Sequence, residues 1–135
     1  MTMNRSIKRR KNAICELEQL MHELSGLVDV VVVEGLRDIQ ALRSLGYTGS
    51  IEELNRSGFN DFDLADDLTS RYKRVLLLLD FDEEGLRLNQ RFNQILERKG
   101  AKVEYGLRKE FGRLMAATGA YAIEDLDNIR DGMEE

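Results

Sequence analysis

Apolar side chains fall at helical spacing between Ile7 and Leu24, at Ile7, Ile14, Leu17, Leu20, Met21 and Leu24. That spacing predicts an amphipathic helix, closed at Gly26. The pattern then changes abruptly. Val28-Asp29-Val30-Val31-Val32-Val33 is a nearly unbroken β-branched run. Such side chains lose χ1 freedom in a helix and pack well on a pleated surface. The lack of alternation predicts a strand covered on both faces, as in a parallel sheet. Glu34-Gly35 ends it, and Leu36, Ile39, Ala41, Leu42 and Leu45 predict a helix that stops at Gly46.

The stretch 47–60 gives weaker signals: a short strand from Ile51 to Leu54 and a turn at Gly58-Phe59-Asn60. Phe62, Leu64, Ala65 and Leu68 predict a helix over about 60–71. Val75-Leu76-Leu77-Leu78-Leu79 is the second buried strand, running into Asp80-Phe81-Asp82-Glu83-Glu84-Gly85. Leu86, Leu88, Phe92, Ile95 and Leu96 predict a long helix ending near Lys99-Gly100. Val103 and Tyr105 predict a short strand, and residues 107–131 two helices separated near Gly119. Repeated strand–helix units predict an α/β fold with a parallel sheet and right-handed crossovers. There is no internal repeat and no low-complexity linker. The expected organisation is one domain over 1–135: an N-terminal helix (1–26), a core (28–105) and C-terminal helices (106–135).

Composition narrows the chemistry. A chain of 135 residues, 42% hydrophobic and 33% charged, can bury a core without staples and is too apolar to be disordered. Cys15 is the single cysteine, so neither an intramolecular disulfide nor a cysteine-rich zinc site can form. Proline is absent, in keeping with helices joined by short loops. The net charge is -5, yet residues 1–11 hold Arg5, Lys8, Arg9, Arg10 and Lys11 and no acid. An acidic chain is not what a protein that merely coats nucleic acid requires. The longest apolar runs fall far short of the ~20 residues that span a bilayer. The basic start is not followed by the apolar stretch of a signal peptide. The expectation is a cytoplasmic protein with no membrane partner.

Three carboxylates stand where ligands of parallel α/β sheets bind, at the carboxyl ends of strands. Glu34 follows the first buried strand; Asp80 and Asp82 follow the second. In extended backbone, residues two apart face the same side. Two carboxylates aimed at one point repel unless a cation lies between them, and hard oxygen donors suit Mg²⁺ or Mn²⁺. The competing reading is helix capping: Asp82, with Glu83 and Glu84 in the first turn, suits the N-terminus of the following helix without any metal. The joint pattern carries more weight than Asp-x-Asp alone, because both strands end in a carboxylate and Gly35 and Gly85 permit close backbone approach.

These residues resemble the Toprim domain shared by topoisomerases, bacterial-type primases, overcoming-lysogenization-defect nucleases and ribosomal-RNA maturation nucleases. The matching segments are Val31-Val32-Val33-Glu34-Gly35 and Leu77-Leu78-Leu79-Asp80-Phe81-Asp82-Glu83-Glu84-Gly85. Asp38-Ile39 and Ala41-Leu42 extend the likeness toward the primase and maturase branches. The likeness covers about residues 28–105, and the whole chain looks like the small stand-alone Toprim proteins found mainly in archaea. It implies four parallel strands flanked by helices, with the glutamate strand beside the Asp-x-Asp strand. It implies that Glu34 is a general acid or base at a phosphodiester, or a metal ligand. Asp80 and Asp82 would hold Mg²⁺, with Mn²⁺ as a substitute. Gly35, Gly85 and Asp38 would support them, Asp38 either from behind the site or simply as a helix residue.

No tyrosine (Tyr47, Tyr72, Tyr105, Tyr121) stands in a topoisomerase nucleophile motif, and the zinc module of a primase is missing. The expected activity is therefore Mg²⁺-dependent, nuclease-like hydrolysis of RNA or DNA. The alternative is a non-catalytic module that binds nucleic acid or a protein partner in a larger processing complex. A response-regulator-like domain also clusters acids at strand ends, but Lys102 precedes its strand rather than following it. Lys8 and Arg9, and Arg87 and Arg91 one turn apart, are candidate phosphate contacts, with solvated helix faces as the plain alternative. Arg71, Lys73, Arg74, Arg108, Lys109 and Arg113 are further candidates. His22, the single histidine, reads as a surface or packing residue, and Cys15 as a quiet helix residue.

Overall fold

The computed structural model describes residues 5–55, 60–120 and 122–134. The elements are α1 (Arg5–Leu24), β1 (Val30–Val33), α2 (Leu36–Ser44), β2 (Ile51–Glu53), α3 (Asp61–Arg71), β3 (Arg74–Leu77), α4 (Glu83–Arg98), β4 (Lys102–Val103), α5 (Tyr105–Thr118), a 3₁₀ turn (Ile123–Asp125) and α6 (Leu126–Glu134). Gly58 and Phe59 of the expected turn lie outside the described residues. The four strands form one parallel sheet in the order β2-β1-β3-β4, as the strand–helix alternation predicts. Helices cover both faces.

The two apolar runs sit in the middle of the sheet, in register Val30↔Val75, Val31↔Leu76 and Val32↔Leu77. Their side chains alternate between two cores. Val31, Val33, Leu76 and Leu78 pack with Leu17, Met21, Leu42, Phe111 and Ile123, so α1, α2, α5 and the C-terminal segment share one face. Val30, Val32, Val75 and Leu77 pack with Leu64, Leu68, Phe92 and Leu96 of α3 and α4 on the other. Each strand side chain therefore has an apolar partner on whichever face it points to, which is why neither run needs polar alternation.

Chain order reverses between β1 and β3. From β1 the chain moves outward to β2, returns to β3 and moves outward again to β4. That is a topological switch point, and the crevice lies beyond the carboxyl ends of the two strands there. Beyond Leu77 the ladder continues for one bond, Leu78 N–H donating to Val32 O at 2.8 Å. Leu78 and Leu79 stay buried, so the segment is still inside the core when it delivers Asp80.

The strands are shorter than the apolar runs, and the last one departs furthest from the sequence pattern. Tyr105, expected in the last strand, is the first residue of α5. The edge strand has only the pairs Arg74↔Lys102 and Val75↔Val103 to hold it. The last ladder bond is Glu104 N–H to Val75 O at 3.0 Å, and there the chain leaves the edge of β3 and turns into a helix. Gly119, at φ +86, ends α5 in the left-handed region, as expected for a helix-terminating glycine.

Gly85 closes the loop after β3. A β-carbon there would lie 2.1 Å from the Asp80 carbonyl oxygen, a backbone atom that cannot swing away. Gly85→Ala is expected to destabilise the protein by about 1–3 kcal/mol, the usual cost of an overpacked contact. Chemical denaturation at constant m-value checks it; an unchanged midpoint would show that the loop is not held this tightly.

Candidate metal and phosphate site

Glu34, Asp80 and Asp82 line one cleft of about 300 Å³, together with Asn55, Asp61, Glu84 and Gly85. The topology makes this meeting compulsory, since Glu34 is the first residue past β1 and Asp80 follows the last extended residues of β3. The backbone around Glu34 is pinned on both sides: Leu54 N–H donates to Val33 O at 2.8 Å and Asn55 N–H to Glu34 O at 3.2 Å.

Asp82 does what the capping reading expects and also faces the cleft. It is the N-cap of α4, its Oδ1 accepting from Gly85 N–H at 2.7 Å. Asp38 is buried, and its Oδ2 accepts from Gly35 N–H at 3.1 Å. It thereby fixes the first turn of α2 and, through Gly35, the backbone directly after Glu34. Asp38 is thus a helix residue whose carboxylate holds the turn that follows Glu34.

The site is electrostatically unfavourable as it stands. Burial pushes the Glu34 carboxyl above its ordinary value, and the Asp80 charge adds to this; the Asp80 backbone amide works the other way. Burial likewise raises Asp80, opposed by the Ile123 amide and reinforced by Asp82, Glu124 and Asp125. Asp38 is raised chiefly by burial, against the Gly35 hydrogen bond. Asp80 Oδ1 is buried with no hydrogen-bond partner. A desolvated carboxylate oxygen among like charges is a natural ligand atom for a hard cation.

Among the described residues, no group of three or more His, Cys, Asp or Glu side chains is drawn together tightly enough to hold a metal ion unaided. The donor set nevertheless fits Mg²⁺, which keeps several waters and takes one or two carboxylates plus phosphate oxygens instead of a closed protein cage.

Two features of the site escape sequence reading. The 3₁₀ turn brings Glu124 and Asp125 close enough to influence Asp80, a contact some forty residues away that no local pattern encodes. Arg108 is the other. Considered from sequence as a phosphate contact, it is buried instead. Its guanidinium donates to the carbonyls of Leu77 (3.2 Å), Leu79 (2.8 Å) and Asp80 (3.3 Å) and lies 4.0 Å over the Phe81 ring. Burial drives it down to about 10, with the Asp80 and Glu34 charges pulling the other way. A signal was present: Arg108 precedes Phe111 by three residues and Met115 by seven, on the buried stripe of α5.

The other basic candidates are dispersed. Lys8 and Arg9 are exposed and share a cleft of about 330 Å³ between α1 and α5 with Arg5 and Arg113. Arg113 is also paired with Glu110 at 2.6 Å and Glu16 at 3.3 Å. Arg87 and Arg91 lie on one face of α4 beside Glu84 and Leu88. Arg91 is paired with Asp61 at 3.3 Å, which ties it to the rim of the carboxylate cleft. Arg71 is engaged by Asp67 and Glu52. Arg74 pairs with Glu104 at 3.5 Å, and the Lys73 and Arg74 amides donate to Asp29. His22 and Cys15 are exposed.

No protein-family model matches the chain. A UPF0292 protein of Pyrococcus furiosus is 34% identical over 118 residues, covering 87% of this chain and 86% of that protein. A second, from Thermococcus sibiricus, is 36% identical over 110 residues, covering 82% and 84%. The chain belongs to the UPF0292 family. These UPF0292 relatives are archaeal. A solved structure of a protein from Aquifex aeolicus is also similar to this UPF0292 chain, with a TM-score of 0.61 and 28% identity over 85% of this chain and 95% of that one. Among the described residues, no helix is long and apolar enough to cross a membrane.

The raised acids give a signed prediction. A carboxyl whose folded value lies above its unfolded 3.8 favours the fold when protonated, and that advantage is lost as pH rises through the folded value. Asp80→Asn is thus expected to stabilise the metal-free protein at pH 7 by about 1 kcal/mol, or ~3–5 °C in Tm. The gain shrinks as the pH falls through the raised folded value and is gone below the ordinary 3.8, where Asp80 is protonated in both states. Added MgCl₂ raises the Tm of the wild type but not of the variant. A metal-free variant less stable than wild type at pH 7 contradicts this account.

Proposed function

We propose that this UPF0292 protein is a Mg²⁺-dependent, Toprim-like protein that acts on nucleic-acid phosphodiester bonds, as a hydrolase of RNA or DNA. The observation that supports it best is the shared cleft of Glu34, Asp80 and Asp82, in which Asp80 Oδ1 is buried and unpartnered. Phosphoryl transfer asks a protein mainly for positioning and charge neutralisation, and this cleft has groups for both.

Asp80 and Asp82 would hold the cation. When bound, the divalent ion offsets phosphate charge and lowers the pKa of a coordinated water. Glu34 stands across the cleft on the neighbouring strand. Its raised proton affinity suits it to take a proton from the attacking water or give one to the leaving oxygen. Gly35 and Asp38 hold its backbone. Lys8, Arg9, Arg87 and Arg91 serve the flanking phosphates, where forked guanidinium groups are effective.

A non-catalytic reading also has a specific observation behind it. Asp82 is committed to the α4 N-cap, and the described residues gather no closed metal cage. A module that uses the cation only to bind nucleic acid, within a larger complex with a protein partner, needs no more than this.

Cleavage of structured RNA and of single- and double-stranded DNA with Mg²⁺ or Mn²⁺ separates the two readings. Wild type is expected to cut, and Glu34→Gln to be slower by roughly 10²–10⁴-fold, the contribution of a positioned acid or base. Cutting that survives Asp80→Asn combined with Asp82→Asn assigns the activity elsewhere. Binding without cleavage under every metal condition favours the module.

A further inference from the structure

A groove of about 630 Å³ runs between α4 and α5, framed by Phe81, Leu86, Asn89, Asn93, Tyr105 and Arg108. Two of its side chains are unusual. Asn89 and Asn93, one turn apart on α4, are 6% and 3% exposed, and the Oδ1 of each is buried without a hydrogen-bond partner. A buried carbonyl oxygen left unsatisfied carries a full desolvation cost. Two of them side by side in the wall of a groove call for donors from outside the chain.

The mouth supplies the complementary surface. Tyr105 is 52% and Leu86 50% exposed, although each borders the buried amides. The Tyr105 hydroxyl donates to Glu97 on α4, which orients its ring. A flat ring beside carboxamides is the usual equipment for holding an unstacked base, by stacking on the aromatic face and by amide hydrogen bonds to the base edge.

The groove and the carboxylate cleft meet at the Asp80-Phe81-Asp82 segment, which contributes its ring to one and its acids to the other. Arg108 lines the groove while holding the Asp80 carbonyl. A nucleotide whose base entered here would bring its own phosphate toward the acids. A docked apolar helix from another protein would leave both amide oxygens unsatisfied, so the groove is a poor match for one.

We infer that the α4–α5 groove is a nucleobase subsite for a base with an exocyclic amino group, belonging to the strand whose phosphodiester lies at Glu34, Asp80 and Asp82. This rests on the reading of the carboxylate cleft under the proposed function. Adenine, cytosine and guanine carry the amino donor; uracil does not.

Titration of the full chain with the 5′-monophosphates of adenosine, cytidine, guanosine and uridine, in EDTA, tests it through the side-chain NH₂ signals of Asn89 and Asn93 in ¹⁵N NMR. At least one amino-bearing nucleotide is expected to shift both pairs and to bind tenfold or more tightly than uridine monophosphate. Tyr105→Ala should weaken that binding by roughly 5- to 150-fold, the range of one base stack. Asn93→Leu, nearly isosteric, should weaken it tenfold or more without lowering Tm, since it removes an unsatisfied oxygen. Signals that stay still at millimolar nucleotide overturn the inference, as do equal affinities in both variants. Nucleotide binding without Mg²⁺-dependent cleavage leaves the subsite standing and removes only the hydrolase reading. Cleavage with base preference unaltered in both variants does the reverse.

Discussion

The pairing of β1 with β3 is the constraint from which the rest of the molecule follows. The side chains of Val30–Val33 and Val75–Leu79 are all essentially inaccessible, and burying an aliphatic side chain fully stabilises by ~1.5–3 kcal/mol. Against that stands the repulsion of the carboxylates that the pairing brings together. Two charges 4 Å apart cost about 1 kcal/mol in water and about 4 at a protein surface. Nine apolar side chains outweigh the mutual repulsion of two or three acids, so the fold tolerates an electrostatically poor cleft. The same imbalance is the physical basis of the proposed cation site, since a positive ion would relieve the repulsion.

The support of that cleft comes from groups with no conspicuous chemistry of their own. Arg108 satisfies three backbone carbonyls where β3 leaves the ladder, and it does so as a buried cation whose nearest charged neighbours are the site acids. Gly85 allows α4 to begin directly against the Asp80 carbonyl. Asp38 fastens the turn after Glu34. Each acts on backbone, which is the economical way to fix the position of a functional carboxylate without consuming its own oxygens. Asp82 is the exception, since one of its oxygens is already engaged in capping α4.

The two clefts beyond the sheet have different characters. The carboxylate cleft is polar and acidic, with Asn55 and Asp61 at its edge. The α4–α5 groove is mostly apolar, with carboxamides in its wall. They share the Asp80-Phe81-Asp82 loop, whose alternation sends both acids to the carboxylate cleft and the ring to the groove. A polymer of charged phosphates and flat bases alternates in the same way, and that correspondence gives the two clefts a common reading.

Much of this was legible from residues alone. The unbroken runs 30–33 and 75–79 announced two-sided burial, because a strand exposed on one face must alternate. The carboxylates at their ends, with Gly35 and Gly85 beside them, marked the cleft, because in a parallel sheet the ends of the strands are where ligands are held. What sequence could not supply was any fact that depends on which distant element lies alongside. Tyr105 looked like a strand residue because its helix is set by the end of edge pairing. Arg108 looked like a surface cation because its three acceptors belong to another strand. No local pattern singled out Asn89 and Asn93 on α4, or Glu124 and Asp125 near the C-terminus. Local pattern is governed by which way a side chain points relative to its own backbone; tertiary structure decides what it meets there.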